Sequence, residues 1–419
     1  MDPTASAGPA RHNLRRMSTF VIAGASLAGA KAAETLRDEG FDGEIVLLGT
    51  ELELPYERPD LSKGYLLGKV ERDSVYVHPA DWYAQHDVDL RTGVTVTAID
   101  RAAATVTTSG PSGTAELHYD KLLLTTGASP RRLHFPGSDR DEVLYLRTIT
   151  DSERLRSAFQ PGTRVVVAGA GWIGLETTAA ARQADCPVTV LEPQPGALQS
   201  QLGPELGAMF ADLHRSHGVK FRFGEQAEEF RPGLVITSAG AEIPADILVS
   251  GIGAAPNDQL AAAAGLEVSN GVLTDESLRT TDPDIFAAGD VANSVNPLLG
   301  RRVRVEHWAN ALNGGPAAAR SMLGQPVVYD PVPYFYSDQY DLGMECAGLP
   351  SPGSYDEVVY RGDRAALEFI AFWLSHGTVV AGMNVNVWDV NDDIQSLIRS
   401  ARQPDLSRLT NPDIPLAEV

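Results

Sequence analysis

The chain has 419 residues, with 55 acidic against 34 basic side chains and a formal charge of −21. That length exceeds one compact domain and fits two or three, and 43% apolar residues supply real cores, which excludes general disorder. So acidic a chain repels phosphate backbones, disfavouring nucleic-acid binding, and its longest apolar stretch, around Leu367 to Leu374, is too short for a membrane span. Cys186 and Cys346 lie far apart and form no CxxC, so neither a disulfide framework nor a zinc site is readable, and a reducing cytoplasm is the expected location.

Residues 1–17 are polar, proline-bearing and aperiodic, which predicts a disordered tail. From Thr19 an apolar run leads into a glycine turn, an alanine-rich helix ending at Gly40, and a strand from Glu44 to Leu48. The same text recurs from Arg164 to Ala168, through a second glycine turn and a helix to Ala184, into a strand from Val188 to Leu191. Two such βαβ units predict an α/β chain with two Rossmann-like dinucleotide-binding domains. Between them Val94 to Ile99 and Thr105 to Thr108 alternate as strands do, and Lys121 to Thr125 is a continuous apolar run. Asp246 to Val249 and Asp284 to Ala288 follow the second unit, each closing on glycine. From about Asp330, strand-like segments at Glu357 to Tyr360, Leu367 to Leu374 and Thr378 to Val385, with a helix after Asp389, predict a C-terminal α+β domain.

The second glycine turn, Gly169-Ala170-Gly171-Trp172-Ile173-Gly174, lies after a strand and opens a helix, as a pyrophosphate site requires. Its glycines let backbone N–H groups approach the phosphates, and the helix N-terminus adds partial positive charge. Glu192, at the end of the next strand, can bond the adenosine ribose hydroxyls and repel a 2′-phosphate, and no arginine follows it in Pro193-Gln194-Pro195-Gly196, so NADH is expected over NADPH. The first turn, Gly24-Ala25-Ser26-Leu27-Ala28-Gly29, carries Ser26 at the middle glycine position, with Glu51 again at a strand end.

With Leu124-Thr125-Thr126-Gly127 between them and Thr281-Asp282-Pro283-Asp284-Ile285-Phe286-Ala287-Ala288-Gly289-Asp290 afterwards, these units resemble the glutathione-reductase-like flavoprotein reductases. Within that group, Pro55-Tyr56-Glu57-Arg58-Pro59-Asp60-Leu61-Ser62-Lys63, Glu306-His307-Trp308 and Val332-Pro333-Tyr334-Phe335-Tyr336-Ser337-Asp338-Gln339-Tyr340 resemble the ferredoxin reductases that serve oxygenase systems. The resemblance implies a discontinuous FAD-binding domain over 18–126 and 255–329, an NAD-binding domain over 127–254 and a C-terminal reductase domain over 330–419. It implies FAD contacts at Gly24, Ser26, Leu27, Ala28, Glu51, Arg58, Lys63, Val96, Thr126, Gly127, Asp290 and Trp308. NAD contacts are implied at Gly169, Gly171, Trp172, Ile173, Gly174, Glu176, Glu192, Gly251 and Gly253.

By the same resemblance Asp290 bonds the ribitol chain, and Arg58 and Lys63 lie along the pyrophosphate and isoalloxazine. Glu176 faces Lys63, and Trp308 opens a helix whose end faces the flavin pyrimidine ring, so Lys63, Glu176 and Trp308 are the candidate catalytic residues. Trp172 is a candidate gate for nicotinamide access. Two positions depart from the family pattern: Tyr336 stands where tryptophan is usual, and Gln199 and Ser200 stand near where arginine is common.

Flavin disulfide reductases pass electrons through cysteines near the flavin, but Pro55 to Leu67 holds none, and Cys186 and Cys346 read as packed thiols. The flavin itself must then hand electrons onward, which suits a one-electron iron–sulfur acceptor such as a small acidic 2Fe-2S ferredoxin. Arg301, Arg302, Arg304, Arg131 and Arg132 form the candidate docking patch in this acidic chain. His214 and His217 are three apart, without a third ligand nearby, so no metal site is expected. A monomer or weak homodimer is expected. A reductase of a quinone or small radical, and a non-catalytic NADH-responsive flavoprotein, stand as alternatives.

Overall fold

The structure, a computed structural model, describes residues 17–419; apart from Met17, the tail expected over residues 1–17 lies outside them. Its first sheet is parallel throughout, with Thr19–Ala23 between Glu44–Gly49 and Lys121–Leu124, and with Val88–Thr92 and Ile285–Ala287 at the edges. Both faces of such a sheet are covered, which is why its inner strands read as unbroken apolar runs and why Val21, Ile22, Leu47 and Leu123 are fully buried. The helix Leu27–Asp38 packs against the helix Trp308–Met322. They approach closely because the contact is built from alanine and glycine: a Cβ on Gly315 would stand 2.2 Å from the Ala28 carbonyl oxygen.

The second sheet repeats the design, in the order Lys220–Phe223, Val188–Glu192, Val165–Ala168, Ile247–Ser250 and Val143–Leu144, again parallel. Two connecting strands, Ala128–Pro130 and Ala254–Pro256, pair antiparallel where the chain passes between the two sheets. Near the chain's end five antiparallel strands form a third large sheet, ordered Tyr334–Gln339, Leu342–Gly348, Thr378–Val385, Glu368–Ser375 and Glu357–Asp363, backed by the helix Asn391–Ser400. Its inner face shares one hydrophobic core with the second parallel sheet, where Met344, Cys346 and Trp373 join Val167, Leu175 and Phe210. Truncating the fully buried Trp373 to alanine there would cost about 3–5 kcal/mol.

Three of these five C-terminal strands match segments expected from sequence, and the hairpin Tyr334–Gln339 with Leu342–Gly348 adds two more. Its aromatic run hides the strand period because both faces meet protein. Phe335 packs on Trp172 while Tyr336, on the opposite face, approaches Trp308. Among the described residues no helix is long and apolar enough to cross a membrane.

Candidate dinucleotide site

Two helix N-termini converge on one cavity of about 1120 Å³. The first belongs to Leu27–Asp38, whose opening N–H groups have no partner within the helix. The turn before it is tight: Gly24 has φ +130°, and a Cβ there would stand 2.1 Å from the Thr125 carbonyl oxygen. Ser26 at the next position, with extended φ and ψ, is compatible with the turn, so the missing middle glycine leaves its geometry intact. The second N-terminus belongs to Trp308–Met322. Trp308 lines the cavity with its Nε1 donating to Glu57 at 2.7 Å, and Tyr336 stands edge-on to it at 6.3 Å.

A second cavity, of about 490 Å³, lies under the second glycine turn and shares Arg58, Ser62, Arg147, Trp172, Ile173 and Gly253 with the first. Glu192 folds back here, accepting from the Ala170 N–H at 2.8 Å and the Gln194 N–H at 2.8 Å, which places its carboxylate beside the turn. Ile173 and Ile252 line this cavity while remaining 46% and 39% exposed, an apolar surface that a flat ring would cover. Trp172 is wedged between Phe210 and Phe335, with ring centroids 5.4 and 5.0 Å away. A gating swing of Trp172 would have to break both contacts.

In the wall of the larger cavity, next to the shared Ser62, stands an ion pair: Lys63 Nζ lies 2.8 Å from Glu176 Oε2, with side chains only 12% and 4% exposed. Ser62 donates to the same carboxylate oxygen and Ser337 donates to the other at 2.6 Å. Lys63 also lies over the Tyr336 ring, 5.4 Å from its centroid. Burial pushes the Tyr336 hydroxyl's pKa up, with nearby carboxylates adding to the effect, so this phenol stays neutral. The carboxyl of Asp338 is also raised, first by burial and against the pull of Lys63.

Along the first cavity Asp290 pairs with Arg147 at 2.7 Å, and Arg58 pairs with Glu51 at 2.9 Å while also donating to the Tyr56 hydroxyl at 2.9 Å. His307 caps the Trp308 helix and lines the cavity; its Nδ1 is buried without a hydrogen-bond partner among the described residues. Burial lowers its pKa to about 4.

Of the residues expected to hold FAD, Ser26, Leu27, Ala28, Glu51, Arg58, Lys63, Thr126, Gly127, Asp290 and Trp308 line the larger cavity, as does Glu176. Gly169, Gly171, Trp172, Ile173, Glu192, Gly251 and Gly253 line the smaller one. Gly24, Val96 and Gly174 line neither. Gly24 and Gly174 instead permit close backbone packing, a Cβ on Gly174 falling 2.1 Å from the Gly169 carbonyl oxygen, and Val96 packs on the apolar core beneath the first sheet. Sequence gives Arg147, Ser62, Ser337 and Glu57 no individual role; Ser62 and Glu57 stand inside the Pro55 to Lys63 segment and Ser337 inside the Val332 to Tyr340 segment, whereas Arg147 belongs to no motif.

The docking arginines differ from one another. Arg304 is only 10% exposed and is consumed by Glu306 at 2.6 Å and the Asp290 carbonyl at 3.1 Å, so it is a structural residue rather than a docking charge. Arg302 bonds the Thr274 carbonyl at 2.5 Å, and Arg132 stacks on Tyr145 at 4.2 Å. Arg131 and Arg301 are exposed, without an ion-pair partner among the described residues, and Arg301 lines the larger cavity. Neither cysteine lines either of these two cavities; both are buried and free, and burial raises both thiol pKa values.

Comparison with known proteins matches residues 18–315 to the pyridine nucleotide-disulphide oxidoreductase family and residues 334–419 to the reductase C-terminal family. The chain is 40% identical to the ferredoxin-NAD(+) reductase component of the anthranilate 1,2-dioxygenase system of Burkholderia cepacia, covering 95% of this chain and 98% of that one. It is 36% identical to putidaredoxin reductase of Pseudomonas putida, covering 95% and 96%. Among solved structures, that of a covalent putidaredoxin reductase-putidaredoxin complex superposes with a TM-score of 0.91 at 36% identity, over 96% of this chain and 97% of that one.

Proposed function

The chain belongs to the pyridine nucleotide-disulphide oxidoreductase family, and from that premise we propose that it carries electrons from NADH through FAD to a 2Fe-2S ferredoxin serving an oxygenase. The observation that carries this reading is the Lys63–Glu176 pair in the larger cavity, beside Ser62 and Trp172, which both cavities share, with no thiol in either wall. The cavity fits FAD. At about 1120 Å³ it exceeds a typical ligand pocket of about 300–1,000 Å³, and it offers helix N–H groups for phosphates, a carboxylate at Asp290 for hydroxyls, and an orphaned His307 nitrogen. Bound there, FAD supplies hydride acceptance and the release of electrons one at a time.

The chain's own residues do the rest. The N-terminus of Leu27–Asp38 would hold the pyrophosphate with Arg58 beside it, and Asp290, oriented by Arg147, would hold the ribitol. Lys63, held by Glu176, and the N-terminus of the Trp308 helix would each present positive charge to the flavin ring. The turn at Gly169–Gly174 takes the second dinucleotide, and Glu192 beside it favours a ribose hydroxyl over a phosphate. We assign residues 18–126 and 255–329 to the FAD-binding domain, 127–254 to the NAD-binding domain and 330–419 to the C-terminal domain. Arg301 and Arg131 are the docking charges, and the cytoplasm is the location.

An anaerobic NADH titration, followed by cytochrome c reduction with a panel of small ferredoxins, tests the reading. Flavin bleaching by about one equivalent of NADH and cytochrome c reduction dependent on one ferredoxin are expected. Turnover with quinones exceeding that with every ferredoxin would overturn the acceptor, and absence of bleaching would overturn the NADH assignment.

A further inference from the structure

Behind Glu176, away from both cavities, runs a line of buried polar side chains. Ser337 Oγ lies 2.6 Å from Glu176 Oε1, and Gln339 Nε2 lies 3.1 Å from Ser337 Oγ. Gln339 Oε1 then lies 2.8 Å from His214 Nε2, and the Tyr340 hydroxyl lies 3.1 Å from His214 Nδ1. Ser337, Gln339 and His214 are at most 1% exposed, and none lines either of the two cavities. Three elements supply them: Glu176 stands on the helix Trp172–Gln183, His214 on the helix Pro204–Ser216, and Ser337 and Gln339 on one face of the strand Tyr334–Gln339.

The proton positions follow from the acidic end. A carboxylate only accepts, so the single Ser337 proton goes to Glu176. Ser337 Oγ is then left to accept, and only the amide nitrogen of Gln339 can donate to it. That turns Gln339 Oε1 toward His214, so Nε2 carries the ring proton and bare Nδ1 receives the Tyr340 hydroxyl. Four hydrogen bonds therefore point one way, Tyr340 to His214 to Gln339 to Ser337 to Glu176. Each partner is used, and reversing any one would leave a buried donor or acceptor unpaired, at a cost of about 1–3 kcal/mol.

We propose that Ser337, Gln339, His214 and Tyr340 are positioning residues, a one-way donor chain that fixes the Glu176 carboxylate and, through it, the Lys63 ammonium in the wall of the larger cavity. Ser62 and Lys63 hold one carboxylate oxygen and the chain holds the other, so Glu176 cannot rotate without breaking a contact. What Lys63 then acts upon rests on the function proposed above; the direction of the chain does not. The C-terminal sheet thus does more than complete a core: it orients a carboxylate on the second unit against a lysine of the first.

Two measurements on the FAD-loaded protein test this. Nitrogen-15 NMR of the histidine side chains, with His214 assigned by the signals lost in His214→Asn, should show Nε2 protonated and Nδ1 bare; a protonated Nδ1 in the neutral ring overturns the chain. In stopped-flow reduction by NADH, Ser337→Ala should keep its FAD and an apparent NADH Kd within about twofold while slowing flavin reduction about tenfold, and Ser337→Thr, restoring the hydroxyl, should return the rate to within about twofold of wild type. An unchanged rate in Ser337→Ala overturns the positioning role. Wild-type flavin that NADH does not bleach overturns the proposed function instead, and the tautomer then decides the chain on its own.

Discussion

Lys63 and Glu176 form an ion pair at 2.8 Å that joins the segment following the first unit's second strand to the helix of the second unit. Removing the lysine leaves a carboxylate only 4% exposed with two serine donors and no countercharge. Lys63→Ala is therefore expected to retain FAD but to slow its reduction by NADH about tenfold to a hundredfold, with a lower Tm. Adding Glu176→Gln should recover part of the lost Tm, because the unpaired charge is gone, without recovering the rate. A single variant as stable as wild type, or one that loses flavin in proportion to rate, would defeat this account.

Asp290 and Arg147 make a second ion pair in the larger cavity, 2.7 Å apart and 143 residues apart in sequence, where the function proposed above would place the ribitol. Asp290→Ala removes the hydroxyl acceptor and frees a guanidinium that lines the same cavity. The purified variant should carry less than about a tenth of the wild-type flavin, read from the ratio of flavin to protein absorbance, while its far-ultraviolet circular dichroism is preserved. Full flavin content would remove Asp290 from the site.

Both glycine turns and the strand-helix-strand text around them were legible because their determinants are local: an apolar strand, a turn, a helix start and an acid within one unit. The pairs that complete the site are not local. Arg147 meets Asp290 across 143 residues, Ser337 meets Glu176 across 161, and no short-range period records either. The family resemblance named one partner of each pair, and folding supplied the other. It also implied direct contacts for Gly24 and Gly174, which lie outside the cavities because each carries out backbone packing beneath the turn.

That distinction separates two substitutions of the same chemistry. Gly24→Ala places a methyl 2.1 Å from the Thr125 carbonyl oxygen at φ +130°, so the chain should misfold or be isolated without flavin. Gly171 has φ −81° and nothing within 4 Å of an added Cβ, so Gly171→Ala should fold with a wild-type Tm. Its methyl enters the approach to the turn's N–H groups, and NADH affinity should fall about tenfold, measured by titration of the oxidised protein with a non-reducing NADH analogue. Equal behaviour of the two variants would contradict the different duties assigned here.

Burial lowers the His214 pKa to about 4, helped by His217 and only partly opposed by the Gln339 hydrogen bond. Tyr340 contacts its other nitrogen, and no carboxylate among the described residues hydrogen-bonds to either one. Its ordinary value is near 6.5, so between pH 6.5 and 4 the unfolded chain binds the extra proton and the folded one does not. Stability should fall as pH drops through that window, by up to about 3 kcal/mol from this residue alone. His307, also lowered to about 4, adds a loss of the same sign. The Tm of His214→Asn should decline less steeply below pH 6.5 than that of wild type; parallel curves would mean that His214 is not buried neutral.

Arg301 is exposed, without an ion-pair partner among the described residues, and lies at the wall of the larger cavity, whereas Arg304 is spent on Glu306 and a backbone carbonyl. An acidic ferredoxin steered to Arg301 would arrive beside the bound flavin, and such steering weakens as salt screens it over a Debye length of about 10 Å at 0.1 M. Arg301→Glu should raise the ferredoxin KM about tenfold at low ionic strength with a smaller change in kcat, and the difference from wild type should shrink toward none by about 0.5 M salt. Arg304→Glu should instead lower Tm at every ionic strength, since it sets a second carboxylate against Glu306 in a partly buried pair. A KM effect of Arg301→Glu that persists undiminished at high salt would mean lost packing rather than lost steering, and the docking surface would have to lie elsewhere on the chain.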